Sequence, residues 1–161
     1  MKTLPLRAWV SANVAVVLGA TLAKPVLRVG SFWSASITKA HRSIELIPFS
    51  SWVHAQVWYG PLLDTAANLA LFAPLGVCAR RAGWTVRKTV AVAAGGSLAI
   101  EVLQYLLAVG FSDVMDVACN SLGAWLGWRY GKHARAERAM GAWLLLVAAV
   151  VAYGLVFAYV F

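Results

Sequence analysis

Apolar residues in this chain come in long runs separated by short charged clusters, and five of these runs read as helices that cross a membrane. The first run, residues 8–23, follows Lys2 and Arg7 and ends at Lys24 and Pro25. Its basic start and the Thr21-Leu22-Ala23 triplet also fit a cleaved signal peptide, so residues 1–30 read either as a first transmembrane helix or as a signal segment. Residues 31–59 are too polar to span. They predict an exoplasmic loop ending in an interfacial helix entered at Pro48, with Phe49, Trp52, Val53 and Val57 on one side and Trp52, Trp58 and Tyr59 in the headgroup layer. Residues 60–131 predict a core of three spans, at 60–79, 87–109 and from Ser112 to Trp128, and residues 139–161 a last span without charge. The expected fold is all-α: a polytopic bundle of about five transmembrane helices with an interfacial helix after the first.

Polar residues inside the three core spans recur at helical spacing. Asp64 and Asn68 are four apart, and Phe72 and Gly76 continue their line. Ser97, Glu101 and Gln104 share a face of the next span, where Gly95 and Gly96 permit close helix approach. In the third, Asp113, Asp116, Asn120, Gly123 and Gly127 form one stripe, with a G-x-x-x-G packing edge below the acids and Val114, Val117, Leu122, Trp125 and Leu126 opposite. Asp113, at the start of that helix, also suits an N-cap.

Composition agrees: 61% of the 161 residues are hydrophobic. The net charge of +8 comes from clusters between apolar runs, which argues against a nucleic-acid footprint. With five spans, Lys2, Arg7, Arg80, Arg81, Arg87, Lys88, Arg129, Lys132, Arg135 and Arg138 fall on one side. Only Lys24, Arg28, Lys39 and Arg42 fall on the other. The bias predicts a multi-pass protein of a cytoplasmic membrane with its N-terminus cytoplasmic and its C-terminus outside. Cys78 and Cys119 show no ligand spacing and read as small buried residues.

In that orientation Asp64, Asn68, Glu101, Gln104, Asp116 and Asn120 lie at similar depth toward the outer leaflet, and the spans supply no Lys or Arg among them. An ionised acid at mid-bilayer costs roughly 2.5 to 3.5 kcal/mol on insertion scales, so these carboxyls must face the bundle interior. Protonation, a divalent cation or a cationic ligand can each compensate them. If the site is chemical, Glu101, Asp116 and Asp64 are the candidate catalytic groups. Asn68, Gln104, Asn120 and Asp113 are then the candidate substrate contacts, and Asp113, Asp116 and Glu101 the candidate divalent-metal ligands. The competing reading is structural, with amides and acids joining helices. His54, near the expected mouth, reads as a headgroup contact before a proton acceptor. No G-x-S-x-G, H-E-x-x-H or glycine-rich phosphate loop occurs.

These residues carry a resemblance. Residues 45–131 are similar to the VanZ-like family of bacterial membrane proteins, named for a protein associated with teicoplanin resistance. Glu45, Leu46, Ile47, Pro48 and Phe49 match its asparagine-leucine-isoleucine-proline-phenylalanine segment. Asn68, Phe72, Pro74, Leu75 and Gly76 match the next span, Ser97, Glu101 and Gln104 the following one, and Asp116, Asn120, Gly123 and Gly127 the last. Glu45 replaces the usual asparagine, and the arginine usual before the acid pair is missing. The resemblance implies an inner-membrane protein acting at the outer face of the cell envelope, reducing access of a lipoglycopeptide such as teicoplanin to its lipid-linked target. Its expected partners are membrane lipids and a lipid-linked cell-wall precursor. Two other readings stay open: a carboxylate or metal-dependent hydrolase or transferase on a lipid-linked phosphate or sugar, and a small proton-coupled transporter subunit.

Overall fold

The computed structural model describes residues 5–23, 43–53, 59–107, 111–133, 136, 138–147, 149 and 152. The helices are α1 (Leu6–Ala23), α2 (Ser50–Val53), α3 (Tyr59–Arg81), α4 (Val86–Leu107), α5 (Val114–Tyr130) and α6 (Arg138–Val147). Two three-residue strands, β1 (Ser43–Glu45) and β2 (Phe111–Asp113), pair in parallel, an element the hydrophobic pattern does not announce. Of the expected interfacial helix, Ser50–Val53 is observed; His54, Val57 and Trp58 lie outside the described residues, and Tyr59 already opens α3.

Among the described residues, α3 with 23 residues and α4 with 22 are long and apolar enough to cross a membrane. At 1.5 Å per residue they reach roughly 33 to 35 Å, against a hydrocarbon core of about 30 Å. The count of two falls short of the five expected. The apolar part of α1, Leu6–Thr21, is shorter, and α5 has 17 residues, with Asp116 in its first turn and Arg129 in its last. Most of the expected last span lies outside the described residues.

The turn between α3 and α4 follows from three residues. Gly83 takes a left-handed φ of 75°, which lets its N–H reach the Arg80 carbonyl and the Trp84 N–H reach that of Ala79, the Schellman closure of a helix. Thr85 then caps α4, its hydroxyl accepting from the Lys88 N–H at 3.3 Å.

Close packing of α3 on α5 depends on glycine. A Cβ on Gly76 would collide with the Ala124 backbone, one on Gly123 with Leu69, and one on Gly127 with Ala73. The expected packing role of Gly123 and Gly127 is therefore seen. The one expected of Gly95 and Gly96 is corrected: both are exposed on α4, and a Cβ on either meets nothing within 4 Å. Two small residues permit a close approach on their face, but α4 turns the Ser97 face inward instead.

Polarity is inverted relative to a water-soluble bundle. Asn13, Thr21, Asn68, Thr89, Ser97, Glu101, Gln104, Asp116 and Asn120 are buried, while Leu98, Val102, Leu106, Leu107, Leu122 and Trp125 are exposed. The apolar core is correspondingly small: Val17, Leu71, Phe72, Ala93, Ile100 and Ala124 form one cluster, and Val77, Cys78 and Met140 a second. Val17 places α1 within that core.

Candidate functional site

The polar stripes of α3, α4 and α5 meet, and they meet through specific bonds. Asn68 Nδ2 donates to Asp116 Oδ1 at 2.5 Å, tying α3 to α5. Asn120 Nδ2 donates to Ser97 Oγ at 2.8 Å, tying α5 to α4. Each joins two buried groups, and Ser97 is 0% exposed. A buried amide deprived of its partner costs about 1 to 3 kcal/mol, so these pairs also fix the relative positions of the three helices.

Glu101, 6% exposed, stands near the end of α4. Its Oε2 accepts from the Asp113 backbone N–H at 3.2 Å, across the connection between α4 and α5. Asp113 in turn caps α5, its Oδ1 accepting from the Met115 N–H at 2.8 Å. The expected cap is thus observed, and Asp113 combines it with the backbone contact to Glu101. Asp64 is half-buried one turn before Asn68, on the same face of α3. Gln104 is buried but turns elsewhere: its Nε2 donates to the Thr21 carbonyl at 3.1 Å, joining α4 to α1.

The strand pair brings a distant motif to this end of the bundle. Its register places Ser43 opposite Phe111, Ile44 opposite Ser112 and Glu45 opposite Asp113. The chain from Leu46 to Phe49 therefore leaves β1 beside the start of α5. There Ile47-Pro48-Phe49-Ser50 makes a tight turn, the Ser50 N–H donating to the Ile47 carbonyl at 3.2 Å. Phe49 adopts a φ of 66°, a conformation that costs a non-glycine residue roughly 1 to 3 kcal/mol. Leu46 and Ile47 are each 73% exposed, and Phe49, Trp52 and Val53 are also exposed, which gives the acid end an apolar rim.

Among the described residues, no three or more His, Cys, Asp or Glu side chains form a group able to hold a metal ion. Asp113, Asp116 and Glu101 are accordingly not gathered as one ligand set. Cys78 and Cys119 are buried free thiols, as their isolation in the sequence suggested.

Reading residues 8–23 as a plain apolar span overlooks Asn13 and Thr21, buried on α1. Asn13 Nδ2 donates to the Trp9 carbonyl at 2.6 Å, and Thr21 Oγ1 to the Val17 carbonyl at 2.7 Å. Their signal was the spacing of four through Trp9, Asn13, Val17 and Thr21, a stripe that aims polar atoms at the bundle.

No curated protein and no solved structure matches the chain. The family described as VanZ/LLP1 matches residues 14–132, a segment running from α1 to the end of α5 that includes the Leu46-to-Phe49 turn and the polar pairs joining α3, α4 and α5. By that match, the chain belongs to the VanZ/LLP1 family.

Proposed function

We propose that this protein is a multi-pass protein of the bacterial cytoplasmic membrane, with its acid end facing outward. In this reading it binds the headgroup of a lipid-linked cell-envelope precursor and thereby lowers lipoglycopeptide susceptibility. The supporting observation is the inverted bundle: a buried polar seam that ends at Glu101 and Asp113 beside an exposed apolar turn. Such a surface suits an amphipathic ligand. Carboxylates and amides accept from the hydroxyl and N–H donors of a sugar-peptide headgroup, and Leu46, Ile47 and Phe49 offer contact area to a lipid chain. The basic clusters at the other end support the orientation, and α1, α5 and the C-terminal segment complete the five spans.

Binding is favoured over hydrolysis or transfer because the bonds at the acids order the helix ends and the rim, while a carboxylate that accepts one bond can accept others from a ligand. Asp116 accepts from Asn68, Asp113 from Met115 and Glu101 from the Asp113 N–H. These bonds position helices and a rim.

The test is mass spectrometry of the envelope lipids that co-purify with the wild-type chain and with Glu101→Gln at matched abundance. Binding predicts an unmodified precursor enriched with the wild type and depleted with the variant. A covalently altered lipid appearing only with the wild type would replace this reading with an enzymatic one. Equal lipid profiles would refute both.

A further inference from the structure

At the opposite end of the bundle, two cations rest on two indole rings. The Arg80 guanidinium lies 4.2 Å from the centre of the Trp128 ring, and Lys88 Nζ lies 4.3 Å from that of Trp84. The Trp128 indole is tied to the turn that carries Trp84, its Nε1 donating to the Trp84 backbone carbonyl at 2.8 Å. Gly131 closes against the base of Arg80, where an added Cβ would come within 3.3 Å of the Arg80 Cβ. Residues from the end of α3, the start of α4 and the end of α5 thus hold Arg80 and Lys88 in a fixed arrangement.

We infer that this arrangement is a binding site for the phosphate of an anionic phospholipid headgroup, an assignment that rests on the proposed membrane location but not on the ligand proposed for the acid end. Three observations carry it. The cations lack acidic neighbours in the sequence: residues 65–100 and 117–136 contain no Asp or Glu, and the next acid, Glu137, lies outside the described residues. Arg87 and Lys88 occupy the first turn of α4, which has no acid, so the positive end of the helix dipole opposes them. An anion at this point relieves both. Finally, two half-buried tryptophans at helix ends belong at the depth of lipid headgroups, where an amphipathic ring has one wet edge. Stacking uses the face of the guanidinium and leaves its in-plane N–H groups available for a phosphate oxygen.

The experiment uses the full chain reconstituted in vesicles of equal phosphatidylglycerol and phosphatidylcholine, with retained lipids counted by native mass spectrometry. Phosphatidylglycerol adducts should exceed phosphatidylcholine adducts by about thirtyfold, given the attraction of each of the two basic side chains near an anionic surface. In Arg80→Gln/Lys88→Gln the ratio should fall to near parity. Lys132→Gln/Arg138→Gln, which removes equal charge without touching the indoles, should leave it unchanged. Inorganic phosphate in the buffer should not displace the lipid. A wild-type ratio near parity, an equal fall in both double variants, or displacement by inorganic phosphate would each overturn the assignment; the second would mean diffuse surface charge and the third a soluble ligand. Should the first double variant fail to reconstitute, Lys88→Gln alone, on an exposed side chain, is expected to lower the ratio about fivefold. No change in that variant would also overturn it.

Discussion

The two ends of the bundle handle charge in opposite ways. At the acid end, charge is turned inward and held by directed bonds: Asp116 by Asn68, Glu101 by the Asp113 N–H, and Asp113 by the helix it caps. At the basic end, charge is turned outward and supported from beneath, Arg80 and Lys88 lying on Trp128 and Trp84. A short carboxylate cannot reach out of an apolar bundle and so needs internal donors, whereas a long basic side chain spreads its stem over an aromatic surface and keeps its head wet. Substitutions should therefore affect folding at the acid end and surface interactions at the basic end.

The most severe break lies between the two, in the seam that holds both ends in register. Gly127→Leu drives a side chain into the Ala73 backbone and should cost about 3 kcal/mol, read as a lost or strongly shifted unfolding transition in detergent. Next comes Asp116→Ala, which leaves the buried Asn68 amide without its acceptor and should cost about 1 to 2 kcal/mol. Asp116→Asn keeps an acceptor oxygen and should recover most of that loss in the same assay. Ser97→Ala deprives Asn120 Nδ2 of its partner and should cost about 1 kcal/mol. Gly96→Ala should lie at the small end, neutral or stabilising by about 0.5 kcal/mol, since the added methyl meets open space and favours the helix. If Gly96→Ala destabilised as much as Gly127→Leu, the assignment of the packing seam to α3 and α5 would fail.

How much of this was legible in the sequence depends on the range of the interaction. The stripe from Asp113 to Gly127 could be read directly because helical spacing is local, and Asp116, Asn120, Gly123 and Gly127 do face α3 and α4. The same logic put Asn68, Ser97 and Glu101 on inward faces, where they are buried. It failed at Gly95 and Gly96, since adjacent glycines show that a close approach is permitted and do not say which face a neighbour takes. It also gave no sign of the Gln104 bond to α1, because the apolar reading of residues 8–23 hid the Thr21 carbonyl as a partner. The β1–β2 pairing was not legible: three residues carry little propensity signal, and their partner lies across most of α3 and α4. The left-handed Phe49 was invisible for a related reason, since only glycine or asparagine announces that conformation.

The measurement that tests the account most directly asks whether the two ends lie on opposite sides of a membrane. Leu46→Cys marks the acid end and His133→Cys the basic end, both at exposed positions, while the native Cys78 and Cys119 are buried and set the background. Intact cells treated with a membrane-impermeant maleimide should label Leu46→Cys, and His133→Cys only after permeabilisation. Labelling of His133→Cys alone in intact cells would invert the orientation, and labelling of both in intact cells would contradict a bundle that carries its acid end outward and its basic end inward.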